Sequence, residues 1–468
     1  MMKNNTPLQA VVDVYESSWF YRILALLAGW LAWTFDGVEQ GVYSVMSRQA
    51  LKELIPGLED LVHQLNQLSQ QKEALQAGGQ AAAGLEQQIQ ELTAQIDPSV
   101  AWYFSVSLAL WLWGAAAGGI LFGRLGDRYG RVKTLILAVI TYSTFTGLSA
   151  VSTHWTLFAA CRFCGALGLG GAWPLSVALM VETWPDSWRP VLAGLMGAGA
   201  NVGYWIAAHY SHYMLTNHYS WRAIIAVGCL IGFSCLLVIV FVPEPTKWLH
   251  SRHQKQPSTL GDLFTPRYRR STIVGSLLST VALLGTWGSF LWFPTYVDQI
   301  TEGTIYANVA KADIAGWQSY GQILGGFMGG LLASWMGNKG SWCFLCVTAW
   351  AAVVALFGFN NEYGLQMMWM GMVSGLFVTA YFGWLPRYLS ELFPTRIRAT
   401  GQGFSFNIGR VLAGIGVLGT GWISQHFDYQ MGAICMASIY LTGLIVIHFA
   451  PNTGGRMVRD EEDAAPSA

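Results

Sequence analysis

Residues 101–153 read AWYFSVSLALWLWGAAAGGILFG, then RLGDRYGRVK, then TLILAVITYSTFTGLSAVST. Two apolar runs thus flank a short basic turn. Each run has about the 20 residues that a helix needs to cross a bilayer. Backbone N–H and C=O groups in lipid must be paired within their own segment, so runs of this kind are helices. Outward from this pair, further apolar stretches lie near 20–46, 155–181, 190–213 and 221–242, and then near 272–297, 313–336, 341–359, 364–386, 400–423 and 430–450. The sequence predicts an all-α membrane protein with twelve transmembrane helices.

Composition points the same way. The chain has 468 residues, 53% hydrophobic and 11% charged, against roughly 25% charged in an ordinary soluble protein. Net charge is zero, which leaves no bulk electrostatic argument for nucleic acid as a partner. All seven cysteines fall inside apolar stretches, and the C-x-x-C pairs Cys161/Cys164 and Cys343/Cys346 are read as packing residues rather than redox or metal sites. The first apolar run follows a polar lead and is too long for a cleavable signal, so it is read as the first span.

Lys and Arg placement sets an orientation. With the N-terminus inside, nineteen of the 26 basic residues fall on the cytoplasmic side and five on the other, with Arg162 and Arg410 left within spans. Both termini are therefore expected in the cytoplasm. The halves also look alike at fixed offsets. Glu182-Thr183-Trp184-Pro185 with Arg189 seven residues past the Glu is matched by Glu391-Leu392-Phe393-Pro394 with Arg398, 209 residues on, and Gly123/Asp127 is matched by Gly330/Ser334, 207 on. This is the mark of a duplicated unit. The expected organisation is a tail over 1–18, a six-helix bundle over 19–242, a basic, proline-rich cytoplasmic linker over 243–271, a second six-helix bundle over 272–450, pseudo-symmetric with the first, and a tail over 451–468. Segment 47–98 stands apart. Leu58, Leu61, Leu65, Leu68 and Leu75, and Leu85, Ile89, Leu92 and Ile96, follow a three-four spacing, which predicts an external antiparallel helical hairpin between the first two spans.

The turn Gly123-Arg124-Leu125-Gly126-Asp127-Arg128-Tyr129-Gly130-Arg131 has the order G-x-L-x-D-R-x-G-R and resembles the loop signature of the major facilitator superfamily, at the loop where that family carries it. Pro243-Glu244-Pro245-Thr246-Lys247-Trp248-Leu249 is similar to the P-E-S-P-R-W-L of its sugar porters and metabolite:proton symporters. The resemblance implies two halves rocking about a central site. It also implies gating roles for Gly123, Asp127, Arg128, Gly130 and Arg131, and for Glu182, Arg189, Glu391 and Arg398 around the loop ends. The second copy departs from the pattern, with Ser334, Trp335 and Asn338 where charges would stand, so a symmetric latch does not follow.

Ionisable residues at mid-span cost roughly 2.5–3.5 kcal/mol each on insertion scales and mark function. Asp36 and Glu39, three residues apart, share one helix face, and two carboxylates on one face raise the affinity for a proton. The stretch resembles the D-G-x-D of aromatic-acid and organic-anion:proton symporters, with Glu39 in the second place. Arg162 lies about seven residues, or ~10 Å, from the external end of its span, at the depth of Glu39. An ion pair between them is expected, as a proton-controlled switch or as a static brace; sugar:proton porters pair such residues in the former way. Arg410 has no carboxylate at its depth in the second half, so it calls for an anion, for backbone carbonyls, or for an acid of the first span. The substrate reading places a carboxylate on Arg410, oriented by Asn407, Gln318 and Gln322, with Trp287, Trp292 and Tyr204 as lining aromatics.

No nucleophile with a base, phosphate loop or metal-spaced cluster appears, so neither an enzyme nor a cofactor is expected. The first reading is proton-coupled symport of a small organic anion, a sugar acid such as sialate or a mono- or aromatic carboxylate, by a monomer in lipid of the inner or plasma membrane. The alternatives are a neutral sugar or polyol porter, and a non-transporting receptor or scaffold that uses the hairpin.

Overall fold

In the computed structural model the described residues are 18–77, 83–185, 188–245, 249, 260–302, 304–307, 309–393 and 397–453. Among them the chain is helical and without strands. The first half comprises α1 (Trp19–Leu54), α2 (Glu59–Ala77), α3 (Ala83–Tyr129), α4 (Arg131–Ala150), α5 (Trp155–Thr183), α6 (Arg189–Thr216), α7 (Trp221–Ser234) and α8 (Leu236–Ile239). The second comprises α9 (Arg269–Gly288), α10 (Phe293–Ile300), α11 (Ala310–Gly358), α12 (Leu365–Glu391), α13 (Arg398–His426), α14 (Tyr429–Ala437) and α15 (Ile439–Val446).

Nine helical stretches among the described residues are long and apolar enough to cross a membrane. One of them, α11, has 49 residues and leaves helical geometry at Gly337 (φ 72°, ψ 168°), which makes two helices of it. The long helices α1 and α6 fall outside the nine. Both are diluted by polar residues: Asp36, Glu39, Gln40 and Arg48 in α1, and Asn201, His209, Ser211 and His212 in α6. Of these, Asp36, Glu39, Arg48 and Ser211 are buried and Gln40, Asn201 and His212 half-buried, whereas His209 is exposed.

The helices extend further than hydropathy alone suggests. Helix α1 continues past residue 46 to Leu54, because Arg48 and Lys52 have buried acidic partners there. Helix α3 runs unbroken for 47 residues through Pro98, so residues 83–97 of the expected hairpin are one piece with the following span. Helix α2 lies beside that extension, with Lys72 and Glu86 paired at 3.1 Å and Leu65, Ile89 and Ile96 buried.

The internal repeat is visible in the backbone. Gly130, between α3 and α4, has φ 120°, and Gly337, inside α11, has φ 72°; they stand 207 residues apart. A side chain is strained at such angles, so glycine makes the reversal at the same place in each half. Close packing does the rest. At Gly37 of α1 a Cβ would run into the Ala200 backbone, and at Gly203 of α6 one would run into the Thr34 carbonyl. The two helices therefore touch main chain to main chain, which holds Asp36 and Glu39 at fixed depth.

Overpacking this contact has no soft neighbour to yield. Gly203→Val is expected to lower the detergent melting temperature by several degrees, whereas Gly197→Ala, where a Cβ meets nothing, leaves it unchanged. Thermal unfolding followed by tryptophan fluorescence checks both.

Candidate functional site

Among the described residues, the middle of the molecule holds four buried charged side chains. Glu39 of α1 and Arg162 of α5 are in direct contact, with side chains 7% and 5% exposed. The Arg162 guanidinium also lies 4.0 Å from the centre of the Tyr43 ring. Asp36, one turn earlier on α1, accepts a 2.8 Å hydrogen bond from Gln40 Nε2. It stands in the field of Arg410 and of Arg162 without an ion pair to either among the described residues. Arg410 of α13 is buried. Its Nη1 donates to Asn407 Oδ1 at 3.5 Å, its guanidinium rests 5.0 Å from the Phe406 ring centre, and its Nε has no partner. The expected Glu39–Arg162 pair thus forms, and Arg410 finds an acid of α1 as its electrostatic counterpart.

A small cavity beside this cluster is lined by Gln40, Tyr43, Ser44, Phe104, Leu108, Arg162, Trp287 and Leu291. Its volume is about 10 Å³, room for one water. Of its lining, Trp287 Nε1 is buried without a hydrogen-bond partner, as are Glu39 Oε2, Gln318 Oε1 and Gln322 Oε1 elsewhere in the interior. Each such group is costly unless something satisfies it. In this state that cavity has room for a water and not for a larger ligand.

Of the residues expected to bind substrate, Trp287 borders the cavity, packed on Trp111 at 4.7 Å. Gln318 and Gln322 are buried with open carbonyl oxygens; Gln318 Nε2 also donates to the Phe290 carbonyl at 3.4 Å. Asn407 sits on Arg410 and against Gly119 of α3. Trp292 is different. It is fully buried between Phe104 and Tyr429, at 4.8 and 5.6 Å, and forms wall rather than lining. Gln40, Tyr43 and Ser44 were not among the expected residues; their signal is the three-four spacing from Asp36 and Glu39 along one face.

A second charged set joins the halves at the end where α1 finishes. Arg48 reaches Asp97 of α3 at 2.6 Å, Asp298 of α10 at 3.2 Å and Glu302 at 2.8 Å. Lys52 contacts Glu302, and Lys311 of α11 holds Asp298 at 2.9 Å and Gln49 Oε1 at 3.4 Å. Nearby, His212 of α6 and Asp313 of α11 are 2.6 Å apart, and Tyr363 donates to the same carboxylate at 2.8 Å. Burial would push the Glu302 carboxyl up, but Arg48 and Lys52 outweigh it and hold it below the usual range. Its contribution is therefore present near neutrality and fades only as pH falls through that lowered value. Sequence offered one hint: Arg48/Lys52 and Asp298/Glu302 are two i,i+4 pairs of opposite sign.

At the opposite end each half carries its own bracket. Arg131 donates to Glu182 through Nη2 at 3.1 Å, and the Glu244 carboxylate accepts from the N–H groups of Val132 at 3.1 Å and Lys133 at 3.0 Å. In the second half Asn338 Nδ2 donates to Glu391 Oε2 at 2.6 Å, and Arg387 Nη1 donates to Ser334 Oγ and to the Gly330 carbonyl. Asn338 and Glu391 stand 207 and 209 residues past Arg131 and Glu182. The missing charge is thus replaced by a neutral donor in the same place. Arg128 is exposed and lies over its neighbour Tyr129 at 5.2 Å, and a Cβ at Gly123 would meet nothing, so no close helix approach depends on that glycine here. The side chains of Asp127, Arg189 and Arg398 lie outside the described residues.

Comparison with known proteins agrees with this architecture. Residues 83–310 match the family model of the Major Facilitator Superfamily, and residues 343–462 match that of the Sugar (and other) transporter family. The chain is 28% identical over 335 residues to the cis,cis-muconate transport protein of Acinetobacter baylyi, covering 70% of this chain and 80% of that one. It is 26% identical over 294 residues to the sialic acid transporter NanX of Escherichia coli, covering 62% and 71%. Among solved structures, the partially occluded inward-open xylose transporter XylE from E. coli superposes with a TM-score of 0.66 at 15% identity, over 94% of this chain and all of that one. With these matches and this fold, the chain belongs to the major facilitator superfamily of multi-pass membrane transporters.

Proposed function

We propose that the protein is a secondary carrier that imports a small organic anion, a sugar acid or a mono- or aromatic carboxylate, together with protons, by alternating access across the cell membrane. The observation that carries this is Arg410: a buried guanidinium whose Nε has no hydrogen-bond partner, in the field of Asp36 and resting on Asn407. A desolvated cation of this kind is best satisfied by a carboxylate, which can take two parallel N–H bonds. Asn407, Gln318, Gln322, Tyr204 and Trp287 supply polar and aromatic contacts for the rest of the molecule. Two of the relatives are named for muconate and sialic acid, both carboxylates.

In this reading 19–242 and 272–450 are two six-helix bundles joined by the cytoplasmic linker 243–271, with both termini in the cytoplasm and the α2–α3 hairpin outside. Asp36, Glu39 and Arg162 form the proton-coupling set. The Arg48 network is the outer gate, closed here. The brackets at Arg131–Glu182 and Asn338–Glu391 keep each bundle rigid at its inner end while the bundles rock. A neutral sugar or polyol porter would need Arg410 to be purely structural, which its open Nε argues against. A scaffold role for the hairpin finds no support in exposed apolar side chains, since the buried leucines and isoleucines of α2 and α3 face each other.

A thermal-shift screen across sugars, sugar acids and monocarboxylates is expected to give stabilisation by acids alone, lost in Arg410→Ala. Stabilisation by neutral sugars that survives in Arg410→Ala would favour the porter. For the gate, Arg48→Ala leaves Asp97, Asp298 and Glu302 without their shared cation. In a cysteine-free background, a cysteine at Ser47 is then expected to react with an impermeant maleimide about tenfold faster than with Arg48 intact, the equivalent of ~1.4 kcal/mol of lost closure.

A further inference from the structure

Resting on the reading above only for the external side of the hairpin, we infer that the protein pairs in the membrane, and that the groove between α2 and α3 receives the same groove of a second copy. This departs from the monomer expected from the sequence. The starting point is a short repeat inside the hairpin. The octets QLNQLSQQ at 64–71 of α2 and QIQELTAQ at 88–95 of α3, 24 residues on, share the order Q-[LI]-x-[QE]-L-[ST]-x-Q. In each octet the first, fourth, fifth and eighth residues fall on one helix face. Those two faces lie side by side. They line a groove of about 340 Å³, with Gln64, Gln67, Leu68 and Gln71 on one wall and their counterparts Gln88, Glu91, Leu92 and Gln95 on the other. The second residues of the octets, Leu65 and Ile89, are buried.

The chemistry of the groove selects its occupant. Five of the eight lining side chains are primary amides, each of which both donates and accepts. Two more, Leu68 and Leu92, are half-buried leucines. The eighth, Glu91, already accepts from Gln87 Nε2 at 3.0 Å. Such walls have no charge pattern to select a charged macromolecule and no aromatic face for a sugar ring, but an amide wall is complementary to another amide wall. Symmetry then fixes the arrangement. Helix α3 is continuous with its span, so the hairpin stands upright on the membrane. Two copies inserted the same way in one bilayer are related by a two-fold axis along the membrane normal, giving an isologous contact. With the grooves face to face, that axis sets α2 of one copy against α3 of the other, antiparallel, as in a four-helix bundle. The Lys72–Glu86 contact at 3.1 Å fixes the levels within the hairpin: Gln64 stands level with Gln95, Gln71 with Gln88, and Gln67–Leu68 with Glu91–Leu92. The same levels meet across the pair of copies. Gln64 then faces Gln95 of the second copy, Leu68 faces Leu92, and Glu91 faces Gln67 rather than a second Glu91. The repeat thus removes the one like-charge contact that a self-docking face would suffer.

The test uses full-length chains, freed of their native cysteines and co-expressed, in right-side-out membrane vesicles. One tagged copy carries Gln64→Cys and a differently tagged copy carries Gln95→Cys. A short bismaleimide, able to join helices about 8–10 Å apart, is added from outside. The mixture is expected to give a product with both tags at twice the mass of the chain, and either variant alone several times less of its own, because like positions sit diagonally across the bundle. No two-tag product, although an impermeant maleimide labels both cysteines, overturns the pairing and leaves the carrier reading standing. Equal product from either variant alone signals random collision or another arrangement and overturns this docking, as does a product in which another protein replaces the second copy. Failure of the impermeant maleimide to reach either cysteine overturns the external placement on which the inference rests. A second measurement avoids cysteines. In detergent, Gln67→Glu sets a carboxylate opposite Glu91 at both symmetric contacts and is expected to raise the dimer dissociation constant about fivefold, whereas Gln67→Lys lowers it. Equal dissociation constants for the two variants contradict the pairing of α2 with α3.

Discussion

Glu39 and Arg162 meet inside the helical bundle with almost no water, and Asp36 and Arg410 lie in the same field. A bundle of this apolarity tolerates charge at mid-depth only as a balanced set, because each unmatched ion would carry its full desolvation cost. The helix packing follows from that constraint. α1 must be held at one depth against α6, which the main-chain contact at Gly37 and Gly203 does, and α5 must bring Arg162 to the same level. Asp36, Glu39 and Gln40, which help to make α1 a poor span by composition, are among the residues that build the centre.

The two ends of the molecule use charge differently. At the α1 terminus, three cations and three carboxylates from both halves form one network. At the loop end, Arg131 meets Glu182 and Asn338 meets Glu391, each pair within one half. Ion pairs between bundles stabilise one state of a rocking pair, whereas ion pairs within a bundle leave its equilibrium untouched. Helix α3 spans the distance between the two ends as a single rod, from Ala83 through Asp97 to Tyr129.

Much of this could be read in the sequence, for identifiable reasons. Span positions depend on local apolarity, and the paired turns at Gly130 and Gly337 depend on residues a fixed period apart. The Glu39–Arg162 pair was legible from equal depth together with the resemblance to sugar:proton porters. What stayed hidden depends on contacts across hundreds of residues. Arg48, Lys311, Asp298 and Glu302 read as ordinary loop-flanking charges until the fold brings them together. Trp292 read as a lining aromatic because its spacing from Trp287 says nothing of Phe104 and Tyr429, which enclose it. The departure at Ser334 and Asn338 suggested a lost latch, yet Asn338 keeps the hydrogen bond to Glu391 without the charge.

The balance of the four buried charges is tested most directly by counting protons when an acid binds to the purified carrier in weakly buffered detergent solution, with a pH-indicating dye. The account predicts uptake of about one proton for each monovalent anion bound. Binding of the anion with no proton taken up would mean that the site carries an unmatched charge, and would contradict it.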